Sequence, residues 1–212
     1  MPDLADKDEI DAARLILDRF RASFKEAPFP LTKVNMGLRS MASRVSPDAR
    51  VTQRLKRQSR IIEKLARFPT MQLTTMEDIG GCRVVVPTYE EALRLRERVE
   101  SRWGQTVTRN RDYVAHPKET GYRAFHLVVI REGFPIEIQI RTSLQQTWAE
   151  AVEAAELASG TMLKDGRGAA DVLAFFRALG TAFAALDRGE PIPRTVRRAV
   201  VSGAAATRRI TG

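Results

Sequence analysis

The sequence predicts an α+β (or α/β) domain, in which a mixed, largely antiparallel five-stranded sheet is flanked by helices. Three observations support it. Five short runs rich in β-branched residues lie between residues 49 and 142. Segments with apolar residues at helical spacing precede, interrupt and follow them. Glycine and proline punctuate the junctions. At 212 residues the chain holds one large domain, or one with appendages, and can form a core without staples.

In order, residues 6–26 place Ile10, Ala13, Leu15, Ile16 and Phe20 at helical spacing, which predicts an amphipathic helix ended by Pro28 and Pro30. Residues 34–45 read as a weaker helix. Residues 39–67 are strongly basic; within them ARVTQRLK reads as a strand and RIIEKLARF as a helix terminated by Pro69. CRVVVP (82–87) is a strand preceded by Gly80 and Gly81, which allow close backbone approach. Thr88 caps a helix over 88–101. Strands follow at 107–114, 123–132 and 134–142, the last two joined by a tight turn at Gly133. A helix over 143–158, a Gly-rich loop and an apolar helix beginning near 169 complete the pattern. The segment from Arg194 onward carries five arginines and no acid and reads as a basic tail.

Composition narrows the function classes. Apolar residues make up 43% and charged residues 29%, as in ordinary globular proteins. A single cysteine, Cys82, excludes a disulfide framework and a cysteine metal cluster; it reads as a buried structural thiol in a reducing, cytoplasmic setting. No apolar run approaches the roughly 18 residues of a membrane span, and the polar, acidic N-terminus is unlike a signal peptide. The 35 Lys and Arg against 26 Asp and Glu give +9, an excess that favours polyanionic partners such as nucleotides, RNA or an acidic protein. A solvated basic surface would give the same balance.

Candidate chemistry concentrates in 112–142. Side chains alternate along a strand, so Ile136, Ile138 and Ile140 face a core while Glu137, Gln139 and Arg141 share the other face, roughly 6.6 Å apart. His126 lies one strand back. The loop 113–122 supplies Lys118, a turn at Pro117 and Gly121, and Tyr122 as a stacking face with a polar tip. Asp78, before the Gly80–Gly81 pair, is the second carboxylate. With Glu137 it can hold one Mg²⁺, which takes one or two carboxylates plus phosphates and waters. Arg54, Lys56, Arg57, Arg60 and Lys64 form either a phosphate clamp or a solvated basic helix. Each piece alone also fits a structural role: a polar strand face, a core histidine, a basic hairpin, a turn aspartate.

Four segments in one order resemble the RelA/SpoT synthetase family in its small, single-domain form. They are RLKRQSRIIEKL, MEDIGGCRV, DYVAHPKETGYRAFH and EIQIRT, spanning residues 54–142. The resemblance implies a nucleotidyltransferase-like synthetase fold with a core over 46–160, an N-terminal helical segment (1–45) packed on it, and a C-terminal helix with basic tail (161–212). It implies transfer of the β,γ-pyrophosphate of ATP to the ribose 3′-hydroxyl of GDP or GTP, with Mg²⁺ as cofactor. By motif, Arg54 and Arg83 would sandwich adenine, and Lys56, with Arg60 and Lys64, would hold ATP phosphates. Asp78 would bind Mg²⁺, and Glu137 would share the metal or activate the 3′-hydroxyl. Tyr122 would stack on the acceptor base, with Lys118, His126, Gln139 and Arg141 around the acceptor.

Departures from the family pattern bear on the acceptor. Arg60 stands where a serine is usual, Thr120 and Ala124 replace Asn and Ser in the acceptor loop, and Val152-Glu153 replaces a Glu-His pair. The chain has two histidines and no His-Asp dipeptide, so the family's hydrolase is not expected. Three functions remain open: an alarmone synthetase making guanosine tetra- or pentaphosphate, a toxin pyrophosphorylating the 3′ CCA end of tRNA, and an inactive nucleotide- or RNA-binding module. The toxin reading would add tRNA and an antitoxin as partners. The apolar Leu173–Leu186 stretch packs either internally or on a second copy.

Overall fold

A computed structural model describes residues 30–68, 70–71 and 76–211, with Asp11, Arg14, Leu15 and Asp18 as isolated positions. The helix expected over 6–26 lies outside the described residues but for those four positions, and so does Pro69. The elements are α1 (Pro30–Ala42), β1 (Arg50–Leu55), α2 (Gln58–Arg67), β2 (Gly80–Val86), α3 (Tyr89–Trp103), β3 (Val107–Asp112), β4 (Phe125–Arg131), β5 (Phe134–Thr142), α4 (Ser143–Ser159), α5 (Ala170–Asp187) and α6 (Arg194–Thr211). One-turn helices at Gly104–Thr106 and Leu163–Asp165 sit in the connections.

The sheet has five strands in the order β1-β2-β5-β4-β3. β2 and β5 run parallel and the other neighbours antiparallel, so the sheet is mixed and largely antiparallel, as the sequence predicts. The parallel pair at the centre requires the long crossover through α3, β3 and β4. Because side chains alternate across a strand, one face carries Cys82, Val84, Val86, Phe125, Leu127, Val129, Ile136, Ile138 and Ile140. α1 and α3 cover this face with Leu31, Val34, Leu38, Ala92, Leu95 and Val99. The opposite face is polar and carries the candidate chemistry. α2 packs with Met76 and Ile79 through Ile61 and Leu65, and α4 packs on α5 around Trp148, Val152 and Phe176.

Local signals explain the boundaries. Thr88 caps α3 in a reciprocal box with Glu91, and Thr142 caps α4 in the same way with Gln145. β3 stops at Asp112, two residues short of the expected end, because Asp112 Oδ1 accepts from the Val114 and Ala115 backbone N–H groups and turns the chain. β4 begins at Phe125 rather than 123. The segment from Arg194 onward is no loose tail; it is an 18-residue helix. Gly203 lets it approach Phe175 of α5, where a Cβ would meet the Phe175 ring at 3.0 Å.

Ile138 is fully buried at the centre of the sheet. Ile138→Ala is expected to lower stability by about 3 kcal/mol through lost transfer energy and the residual cavity. Denaturant unfolding checks this; a loss below about 1 kcal/mol would mean that the sheet centre collapses around the gap.

Candidate active site

The register of the polar face brings the chemistry into rows. Thr52, Arg83, Gln139, His126 and Arg111 are successive cross-strand partners from one edge of the sheet to the other. In the adjacent row Arg54 partners Gly81, Gly81 partners Glu137, and Glu137 partners Val128. Neighbouring strands stand about 4.8 Å apart, so each row spaces its side chains at intervals suited to a nucleotide. Gly81, between Arg54 and Glu137, contributes no side chain and opens the floor of a pocket. That pocket, about 380 Å³ with its open mouth, is lined by Thr52, Gln53, Arg54, Asp78, Gly81, Cys82, Arg83, Glu137 and Gln139.

On one flank of this pocket, Asp78 accepts from Lys56 Nζ at 2.6 Å and Lys64 Nζ at 2.9 Å. Burial pushes the Asp78 carboxyl up, but the two ammonium groups outweigh it and hold it below the ordinary aspartate range. Arg83 is lowered by burial and by the neighbouring Arg141 and Arg54 guanidiniums, with Glu153 pulling the other way. Its Nε is buried without a hydrogen-bond partner. Arg54 and Arg83 thus line a pocket in which the Arg83 Nε has no acceptor, a condition that suits an anion or a base plane.

Across the floor, Glu137 begins a hydrogen-bonded chain. Its Oε1 faces His126 Nδ1 at 2.8 Å, and Oε2 accepts from Gln139 Nε2 at 2.7 Å. A ring nitrogen facing a carboxylate carries a proton, so His126 Nδ1 donates to Glu137, and His126 Nε2 shares a hydrogen bond with the Tyr122 hydroxyl at 2.6 Å. Arg141 Nη2 in turn donates to the Tyr122 oxygen at 3.0 Å and to Gln139 Oε1 at 3.1 Å, while Nη1 donates to Gln146 at 2.9 Å. Burial raises the Tyr122 hydroxyl, against the Arg141 charge, so it keeps its proton. Burial also pushes Glu137 up, but the His126 hydrogen bond and charge and the Gln139 amide outweigh this and the repulsion from Asp78, leaving it below the ordinary glutamate range.

The loop 113–122 stands over this chain. Lys118 Nζ lies 5.0 Å from the Tyr113 ring centroid and 5.3 Å from that of Tyr122. Its ammonium is lowered by desolvation, raised by Glu137 and Asp165, and lowered by Arg111 and Lys64, so cations from both flanks face the same space. Thr120 Oγ1 is buried without a hydrogen-bond partner.

Of the residues singled out in the sequence, Arg54, Asp78, Arg83, Glu137 and Gln139 meet in one pocket, Lys56 and Lys64 join through Asp78, and Tyr122, His126 and Arg141 join through Glu137. Arg60 stands apart, paired with Glu63 at 2.7 Å on the exposed side of α2. Sequence reasoning missed Thr52 and Gln53, although Thr52 shares Arg54's strand face two residues away. It also missed Tyr113, Gln146, and Glu77, which pairs with Arg109 and Arg111. Those partners become neighbours only through tertiary register.

Among the described residues no group of three or more His, Cys, Asp or Glu could hold a metal. Two ionised carboxylates lining one pocket do suit Mg²⁺, which leaves its remaining positions to waters and substrate phosphates. The same pair would be a poor zinc site.

Comparison with known proteins adds the following. A model of the region found in RelA/SpoT proteins matches residues 53–158. The GTP pyrophosphokinase YjbM of Bacillus subtilis is 33% identical over 145 residues, 62% of this chain and 69% of that one. The probable chloroplastic GTP diphosphokinase RSH2 of Oryza sativa is 37% identical over 81 residues, 38% of this chain but only 11% of the plant protein. The solved structure of small alarmone synthetase 1 from Bacillus subtilis bound to its product pppGpp superimposes with a TM-score of 0.64 at 26% identity, covering 75% of this chain and 88% of that one.

Asp78 has a folded-state pKa below its ordinary value. Its contribution to stability is therefore present above the unfolded pKa, about 3.9, and is lost as pH falls through the folded value. Asp78→Asn is expected to cost about 1–2 kcal/mol at neutral pH by leaving two ammonium groups facing each other, with the deficit closing only below about pH 4. Denaturant melts across pH 3–7 read this directly. A deficit of the same size at pH 3 would show that its origin is not ionic.

Proposed function

The chain belongs to the RelA/SpoT family, and from that premise we propose that it is a Mg²⁺-dependent pyrophosphokinase making (p)ppGpp from ATP and GDP or GTP. One observation carries the proposal. Glu137 belongs to both halves of the site: it lines the pocket of Arg54, Asp78 and Arg83, and it anchors the chain through His126 and Tyr122 to Arg141. A group so placed can orient a nucleophile from one nucleotide toward a phosphorus of another. The match to YjbM over most of its length supports the same reading.

In this reading the base of ATP lies between the Arg54 and Arg83 guanidiniums, whose planes suit stacking. Lys56 and Lys64, already aimed at Asp78, meet the phosphates. Mg²⁺ held by Asp78 and Glu137 would neutralise charge on the transferring pyrophosphoryl group. The acceptor base lies against Tyr122, with Lys118, Gln139 and Arg141 at its phosphates and ribose. Glu137, ionised throughout the neutral range, accepts the hydrogen bond of the 3′-hydroxyl and aims its lone pair. A bond forms between O3′ and the β-phosphorus, the bond from that phosphorus to the α,β-bridging oxygen breaks, and AMP leaves. The hydroxyl proton passes to Glu137 and then to water. His126, fixed by Tyr122, holds the carboxylate in its working orientation.

Incubating the protein with γ-labelled ATP, Mg²⁺ and either GDP, GTP or deacylated tRNA tests the reading. Label on the guanine nucleotide is expected; label on tRNA alone would replace the proposed acceptor, and label on neither would leave a binding module. Glu137→Gln keeps the shape and the hydrogen bond from His126, and is expected to reduce transfer at least about 10²-fold with an unchanged circular dichroism spectrum. Transfer at the wild-type rate would remove Glu137 from the chemistry.

The pH profile tests the His126–Glu137 bond. Removing His126 leaves burial and the Asp78 charge acting on Glu137 without their main counterweight, so the Glu137 pKa rises. The acid limb of kcat/KM is then expected at higher pH in His126→Ala, and less displaced in His126→Gln, which retains a donor. An acid limb that stays in place in both variants would contradict the assignment.

A further inference from the structure

We propose that α5 positions the acceptor loop through Arg177 and Gly180, so that affinity for the acceptor nucleotide depends on a helix lying outside the family-matched region. The proposal rests on the pyrophosphokinase reading for its kinetic consequence and on geometry alone for the contact.

The loop 113–122 is tied at its base by backbone bonds from Tyr113 N–H to the Ala124 carbonyl and from His116 N–H to the Asp112 carbonyl, by the Asp112 carboxylate and by the Arg123 guanidinium. Beyond that base its own backbone bonds run from Gly121 N–H to the Lys118 carbonyl and from Lys118 N–H to the Tyr122 carbonyl, and residues 115–119 are exposed. What seats this outer part is α5. Gly121 adopts φ +95°, and a Cβ there would come within 2.9 Å of both the Phe176 oxygen and the Arg177 Cα. Opposite it, a Cβ on Gly180 would collide with the Gly121 carbonyl oxygen and lie 3.1 Å from its carbon. Two glycines therefore face each other, and backbone meets backbone with no side chain between. Arg177, exposed on the same helix, donates its Nε–H to the Glu119 carbonyl at 2.8 Å.

α5 is itself held rigidly. Trp148 of α4 donates its indole N–H to the Phe176 carbonyl at 2.8 Å, and its ring meets that of Tyr122 edge-on, centroids 6.0 Å apart. At the other end, the Thr142 hydroxyl donates to Asp187 at 2.7 Å, joining the last turn of α5 to the end of β5. A displacement of α5 relative to the sheet would thus move Gly121 and the adjacent Tyr122, and with them the acceptor subsite, while Arg54, Asp78 and Arg83 stayed where the strands hold them. α5 (Ala170–Asp187) begins beyond residue 158, where the family match ends.

Two variants and two measurements test this. Arg177→Ala removes one hydrogen bond at an exposed position and is expected to raise the acceptor KM about 5-fold. Gly180→Ala forces the loop away and is expected to lower kcat/KM for the acceptor about 10²-fold. In both, the KM for ATP should stay within about twofold of wild type. Amide hydrogen exchange of the full chain should show 113–122 exchanging faster in each variant, with β2 and β5 unchanged. Losses shared equally by ATP and acceptor, or loop exchange unchanged in Arg177→Ala, would overturn the proposal. If wild type transfers to no acceptor, the functional reading fails by itself and the exchange data still decide whether α5 holds the loop.

Discussion

The Glu137 carboxylate is largely buried and charged, and a buried charge is tolerated only when its acceptors are met by donors. Most of the acceptor-side architecture follows from that requirement. His126 and Gln139 supply the donors. His126 does so through Nδ1, and its Nε2 is in turn hydrogen-bonded to the Tyr122 hydroxyl. The tyrosine oxygen then accepts from Arg141, and Arg141 needs further acceptors, which Gln139 and Gln146 provide. Each link is hydrogen-bonded to the next. A run of isolated polar residues in the sequence becomes a single cooperative unit with one orientation.

The opposite flank obeys the reverse rule. There Asp78 absorbs Lys56 and Lys64, while burial, and after it repulsion from the Arg141 and Arg54 guanidiniums, lowers Arg83. Glu153 offsets part of this from α4, although it is itself shared with Lys164 at 2.6 Å. The protein alone leaves part of this repulsion in place and keeps the Arg83 Nε buried without a partner. On the proposed reading a bound nucleotide would lay its base against Arg83 and its phosphates among these cations, so ligand binding and the stability of this region would be linked. On the proposed reading, an excess of positive charge at a site with two ionised carboxylates would attract a nucleotide and still present a carboxylate to its hydroxyl.

Much of this was legible in the sequence because it depends on period-2 alternation. Ile136, Ile138 and Ile140 against Glu137, Gln139 and Arg141 can be read from residue order alone, and the Thr88 cap and the Gly133 turn are local signals. The cross-strand rows could not be read, since alternation assigns a face but not a register. Nor could the parallel pairing of β2 with β5, which places Gly81 beside Glu137. The Asp112 turn was hidden because an Asp at a strand end and one in a strand look alike until its carboxylate finds the next N–H groups. The segment from Arg194 onward looked like a tail because its arginines dominate it. Its alanine-rich stretch is helix-forming, and Gly203 lets it pack closely on Phe175 of α5, a contact with no sequence signature.

That difference in legibility has a physical counterpart in the site. The half that holds Arg54, Asp78 and Arg83 is built on the adjacent strands β1 and β2 and the connection between them that carries α2, so the backbone ladder places Arg54 and Arg83 while Lys56 and Lys64 hold Asp78. In the other half Glu137, His126, Gln139 and Arg141 are strand-borne too, but Lys118 and Tyr122 sit on a loop braced by a helix more than 50 residues further along the chain, through the bond from Arg177 to Glu119. Strand-borne groups keep their places when distant segments change; loop-borne groups move with whatever they lean on. Chains sharing the same four motifs can therefore agree on the pyrophosphate donor and still differ in the acceptor, through segments the motifs do not contain. The substitutions Thr120 and Ala124 lie in that dependent half, where the packing of α5 and the side chains of the loop act together on one subsite.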